Sequence, residues 1–183
     1  YQMAEIGAGY GRWMLNAVHA IRRCSSTIIP SYFVLGFEAD ISRGESLKKL
    51  MSKNDIVNYE LVQKIVSNHP ATLVQDLPFI VHNSDPGSFG GAIIDNERDV
   101  KSGRPPVESE SWMKVERLPT CRLPDAALKY GVFDFMNFDI QNAEIEVIPD
   151  AIDYFNDYVK MVHVGTHSTL ADEIVSETFL NAQ

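Results

Sequence analysis

The chain has 183 residues, enough for one domain with a core of its own. Hydrophobic residues make up 45% and charged residues 22%, a globular composition that excludes a fibrous or low-complexity chain. A formal net charge of -9 and a pI near 4.9 argue against a nucleic-acid partner held through its phosphates, which needs a basic surface.

Residues 2–6 read as a buried strand. They run into Gly7-Ala8-Gly9-Tyr10-Gly11, and residues 12–23 follow as a helix with Met14, Leu15, Val18 and Ile21 at helical spacing. Glycines let a backbone come close to a ligand. The free N–H groups of the helix start point back at the loop, so this corner suits an anionic or strongly polar group. The dinucleotide fingerprint G-x-G-x-x-G needs a third glycine where Arg12 stands. Glu5 extends the run to E-x-G-x-G-x-G, which resembles the first motif of class I S-adenosylmethionine (SAM) methyltransferases. A SAM site and a nicotinamide site both stay open at this point.

Residues 24–30 form a polar loop, and residues 32–37 an almost wholly apolar strand, as expected inside a parallel sheet. The strand ends in Glu38-Ala39-Asp40. A carboxylate there can accept hydrogen bonds from two ribose hydroxyls, which assigns Glu38 to an adenosine ligand. Asp40 and Ser42 fit the cap of the next helix, residues 42–53. Residues 57–66 read as a third strand, its end near Ile65 lying by the adenine in a SAM fold. Residues 68–111 read as an irregular insertion, with a short strand at 79–82 and loop chemistry at 85–91 and 95–106.

Residues 112–118 alternate as a strand, and 124–129 form a short helix. Residues 133–139 form another buried strand ending in an acid. Asn142 suits a left-handed turn, a helix is expected at 143–154, a strand at 158–164 and a last helix at 170–180. The alternation predicts an α/β fold: a doubly wound, mostly parallel Rossmann-like sheet with helices on both faces. His163 falls within its strand and reads as a packed residue.

Phe135-Met136-Asn137-Phe138-Asp139-Ile140-Gln141-Asn142-Ala143-Glu144-Ile145-Glu146-Val147 resembles the segment of FkbM-type methyltransferases that reads like "FLKIDVEGAEWEV". Residues 36–40 look like that family's second motif, residues 122–128 are similar to its "TLDDLL" segment, and residues 163–167 fit the end of its fifth strand. The likeness covers most of the chain in the right order and is weakest between Asn68 and Ser111. It implies a single SAM-binding methyltransferase domain over residues 1–183, acting on a hydroxyl of a sugar, polysaccharide or polyketide-like small molecule. On that resemblance Glu5, Gly7, Ala8, Gly9 and Gly11 hold the methionine end of SAM. Glu38 and Ala39 take the ribose side and Ile65 the adenine side. Asp139 stands at the methyl-transfer centre, with His167 and Glu144 as further candidates to accept a proton. Asn137 replaces the family's usual lysine and Asn142 its usual glycine. The alternatives are an NAD-dependent oxidoreductase and a SAM-binding interaction domain without turnover.

No ligand spacing indicates a metal. Cys24 and Cys121 suit neither a metal nor a disulfide framework and are expected reduced, in a cytoplasmic protein. No apolar run is long enough for a membrane span, and no signal-peptide pattern is legible. The first strand starts almost at Tyr1 and the last residues stop in a helical pattern, so the natural protein is expected to continue past both ends.

Overall fold

The computed structural model describes residues 1–24, 31–68, 77–82, 92–93 and 113–182. The expected loops at 85–91 and 95–106, and all but Cys24 of that at 24–30, lie outside the described residues.

Five strands build the central sheet: β1 (Gln2–Ile6), β2 (Phe33–Phe37), β3 (Tyr59–Val62), β9 (Phe135–Phe138) and β10 (Val162–Val164). Their order is β10-β9-β1-β2-β3, and every pair is parallel. β1 is central, flanked by β2 and β9. Alternation along it decides the two faces. Met3 faces helix α1 (Arg12–Cys24) and helix α2 (Ile41–Lys53), in a core with Met14, Val18, Val34, Leu47 and Met51. Ala4 and Ile6 face the opposite core, with Phe138, Val147, Ile148, Phe155 and Val175. Helices therefore cover both faces, as the doubly wound reading requires.

Both long amphipathic helices stand where the sequence puts them. Asp40 caps α2, its Oδ1 accepting from Ser42 N at 2.8 Å and Arg43 N at 3.3 Å. A helix at Thr169–Asn181 is capped by Ser168, whose Oγ accepts from Ala171 N at 3.1 Å.

Three expected elements differ. The third strand stops at Val62, and Ile65–Val66 (β4) leaves the sheet to pair with Thr120–Cys121 (β8). The helix expected at 143–154 is two helices, Glu144–Asp150 and Ile152–Tyr158. Pro149 lacks the N–H that continues a helix, and the break comes at Ala151. The strand expected from residue 158 starts only at Val162, because Tyr158 still closes the preceding helix. Between β3 and β9 the chain also builds a small antiparallel sheet, β6 (Ala92–Ile93), β5 (Leu77–His82) and β7 (Met113–Leu118), in that order. The five-residue helix Leu123–Ala127 leads back towards β9.

Candidate functional site

The carboxyl ends of β1, β2, β9 and β10 meet on one rim. Gly7 N and Ala8 N both donate to the Phe37 carbonyl oxygen, at 2.9 and 2.8 Å, which folds the loop over the end of β2. Gly7 has φ +81°, and a Cβ there would lie 2.0 Å from the Asp139 carbonyl oxygen. β1 and β9 approach too closely at this point for any side chain. Gly9 differs. Its φ is +52°, and a Cβ there would meet nothing within 4 Å, so the loop is open on that side.

Glu38 closes the loop from β2. Its Oε2 accepts from Gly9 N at 2.6 Å and its Oε1 from Asp40 N at 2.8 Å. Burial pushes the Glu38 carboxyl up, and the two N–H donors and Arg43 oppose that. Glu5, also buried, faces the start of α1. It accepts from Met14 N at 3.0 Å and Trp13 N at 3.4 Å, filling the role of an N-terminal cap from a neighbouring strand. Burial lifts its carboxyl to about 8, against the pull of those two N–H groups. Its oxygens thus bind the helix start rather than the open side of the loop. Ala8 is buried in the α1–α2 core. Ala39 and Ile65 belong to a small apolar cluster with Phe79, Leu118 and Ala143.

Asp139, Glu144 and His167 come together at the ends of β9 and β10. His167 Nε2 lies 3.0 Å from Asp139 Oδ1. His167 Nδ1 lies 3.2 Å from Glu144 Oε1, a close charge contact without hydrogen-bond alignment. Asp139 is half exposed, whereas Glu144 is fully buried. Glu144 Oε1 also accepts from Ile140 N at 2.8 Å, which pins a turn whose residues Gln141 and Asn142 have φ +55° and +74°. The Asp139 and Glu144 carboxylates raise His167 to about 9, and His167 in turn holds Asp139 below the usual carboxylate range. The two carboxylates thus favour the protonated imidazole at neutral pH. Among the described residues no group of three or more His, Cys, Asp or Glu side chains is arranged to hold a metal ion.

The structure adds three residues to this rim. Gln141 Nε2 lies 2.9 Å from His167 Nε2 and 3.3 Å from Asp139 Oδ1. Trp13 and His163 pack ring against ring, centroids 5.8 Å apart. The expectation that His163 is packed inside its strand is corrected: it is exposed, on the face of β10 that Asn137 occupies on β9. The signal was the alternation itself, since His163 sits between Val162 and Val164 and must point away from their face.

No protein-family model matches the chain. A curated relative, a putative methyltransferase from Jannaschia sp. (strain CCS1), is 25% identical over 171 residues, which are 92% of this chain and 56% of that protein. The crystal structure of methyltransferase FkbM from Methylobacillus flagellatus KT matches 98% of this chain and 36% of its own, with a TM-score of 0.57 and 10% identity. The fold is that of an FkbM-type methyltransferase. The structure of PKMT2 from Rickettsia typhi covers 83% of this chain and 18% of its own at a TM-score of 0.39 and 14% identity, too distant to bear on the site. The chain spans about half the length of the curated methyltransferase, and about a third of the solved FkbM chain. In this methyltransferase fold the glycine loop, Glu38 and Asp139 share the rim at the carboxyl ends of the strands, where open α/β sheets bind ligands.

Proposed function

We propose that the chain is the cofactor-binding part of a SAM-dependent methyltransferase that acts on a hydroxyl oxygen of a sugar, polysaccharide or polyketide-like molecule. The observation that carries this is the Gly9 cradle, open where a Cβ would stand and bordered by the Glu38 carboxylate. Loop residues 7–11 would hold the amino-acid end of SAM. Glu38 would accept from the ribose hydroxyls with the lone pairs its two N–H partners leave over. Ala39 and Ile65 offer an apolar wall to the adenine. SAM supplies a sulfonium methyl, the electrophile of the reaction. What the protein adds is alignment of the acceptor oxygen. Asp139, half exposed and held ionised by His167, can accept a hydrogen bond from that hydroxyl and orient it. Glu144 holds His167 from the buried side.

Calorimetric titration with SAM, S-adenosylhomocysteine and NAD tests this reading. The expected result is binding of both sulfur compounds and not NAD, weakened about tenfold or more by Glu38→Ala, which removes a charged acceptor. Binding of NAD alone overturns it in favour of a nicotinamide enzyme. A panel of hydroxylated acceptors with radiolabelled SAM then tests the oxygen as target.

A further inference from the structure

The start of α2 goes against the usual charge pattern of a helix. Its first turn holds no acid, and Arg43 stands where a capping box has Glu or Gln. A cation there opposes the helix dipole, so groups outside the helix have to compensate. Arg43 Nε lies 3.7 Å from Asp40 Oδ2, and the Arg43 side chain is 12% exposed. Its guanidinium carbon lies 5.8 Å from the ring centroid of Tyr10. Tyr10 stands in the glycine loop between Gly9 and Gly11, whose φ values are +52° and +78°. Both anchors lead to Glu38. Asp40 N donates to Glu38 Oε1 at 2.8 Å, and Gly9 N donates to Glu38 Oε2 at 2.6 Å. Arg43 and the Glu38 carboxylate thus join the same two segments, the glycine loop and the start of α2.

The link matters through the protonation of Glu38. Ionised, this side chain accepts through both oxygens. Protonated, it turns one oxygen into a donor and can no longer serve two N–H groups and a pair of hydroxyls together. Burial favours the protonated form, and so does the neighbouring Asp40 carboxylate. Glu5 on β1 and Glu38 likewise disfavour each other's charge. Arg43 is the cation set against these effects, alongside the Gly9 and Asp40 N–H groups. Tyr10, beside the guanidinium, is the titratable group of the loop.

We infer that Arg43 is a positioning residue for the cofactor: its guanidinium, seated on Asp40 and Tyr10, keeps both Glu38 oxygens as acceptors for the two ribose hydroxyls. This deepens the SAM-binding reading and rests on it. Arg43 acts through Glu38, with no part in the transfer of the methyl group.

Calorimetric titration with S-adenosylhomocysteine from pH 5 to 8.5 tests the assignment in the parent, Arg43→Gln and Arg43→Lys. Comparison with the parent at each pH cancels the titration of the ligand itself. Arg43→Gln is expected to bind about tenfold more weakly at the acid end, the scale of one lost countercharge. The gap is expected to close as the pH rises and Glu38 ionises without help. Arg43→Lys keeps the charge and is expected to stay within about threefold of the parent throughout. In a Glu38→Ala background Arg43→Gln is expected to change nothing, because the group it acts on is gone. A glutamine here suits the capping box, so the urea midpoint of Arg43→Gln is expected to hold or rise. A gap that is constant with pH, a loss that persists without Glu38, or an Arg43→Lys protein as weak as Arg43→Gln overturns the proposal. So does a lowered midpoint with affinity unchanged. Each of these leaves the parent reading intact. Failure of the unaltered protein to bind S-adenosylhomocysteine sinks the parent reading, and this one with it.

Discussion

Replacing Gly7 by alanine sets a methyl group 2.0 Å from the Asp139 carbonyl oxygen and 3.0 Å from Ile140 Cγ2. The first contact is with backbone, held by the bond from Asp139 N to the Ile6 carbonyl oxygen at 2.9 Å. No rotamer can relieve it. Overpacking of a core costs about 1–3 kcal/mol, and an L-residue at the +81° φ of Gly7 adds about 1–2 kcal/mol. A sum of about 3 kcal/mol lowers the melting temperature by about 10 °C in a chain of this size. Gly9→Ala is the control. It carries the same left-handed penalty with nothing within 4 Å to clash, so it is expected to cost only about 1 kcal/mol. Urea unfolding followed by circular dichroism measures both. Equal losses, or a Gly7→Ala protein within about 1 kcal/mol of the parent, would refute the close approach of the two strand ends. Gly9→Ala has a second readout, because its methyl group fills the cradle: affinity for S-adenosylhomocysteine is expected to fall far more than stability.

Two pH effects overlap between pH 6.5 and 8 and separate outside that range. Folding raises His167 to about 9 from a usual 6.5, so its stabilisation is complete below pH 6.5 and lost as the pH rises through 9. Urea titrations from pH 6 to 10 are expected to lose about 3 kcal/mol through this group, and His167→Gln should remove the part of the decline that lies above pH 8. Folding also raises Glu5, to about 8 from 4.5, so stability falls between those values, and Glu5→Gln should remove that decline while still accepting the helix N–H bonds. Asp139→Asn removes the carboxylate 3.0 Å from His167 Nε2, and NMR titration of the ring is expected to show a lower pKa. Asp40→Ala removes the cap of α2 and is expected to cost about 1 kcal/mol in the same urea assay.

Much of this architecture was legible because local rules and tertiary context agree. The glycine loop, the acid at the end of β2 and the Asp40 cap each follow from backbone chemistry that acts within a few residues. Asn142 was legible as a left-handed residue for the same reason, though Gln141 joins it there without any side-chain preference for that conformation. The departures come from long-range pairing. Nothing between Val62 and Ile65 announces that the strand will leave one sheet for another, since its partner at Thr120–Cys121 is more than fifty residues away. Both acids that flank His167 were candidates from the sequence, but the cation between them was not foreseen, because charge state depends on which groups meet. His163 was misjudged by treating strand membership as burial. β10 has β9 on one side in the described sheet, and His163 is exposed there although Asn137 beside it on β9 is buried.

The contact between Gly7 and Asp139 joins at one backbone junction the loop and the strand end to which the proposed function gives cofactor and acceptor. A ligand that shifts the glycine loop even slightly must carry the end of β9 with it, because no gap separates them. On the proposed function, occupancy of the loop and orientation of the acceptor would then be thermodynamically linked. Whatever factor a bound cofactor contributes to acceptor affinity, the acceptor must return to the cofactor. The missing methyl group of a single glycine thus lets the loop and the end of β9 stand in direct contact.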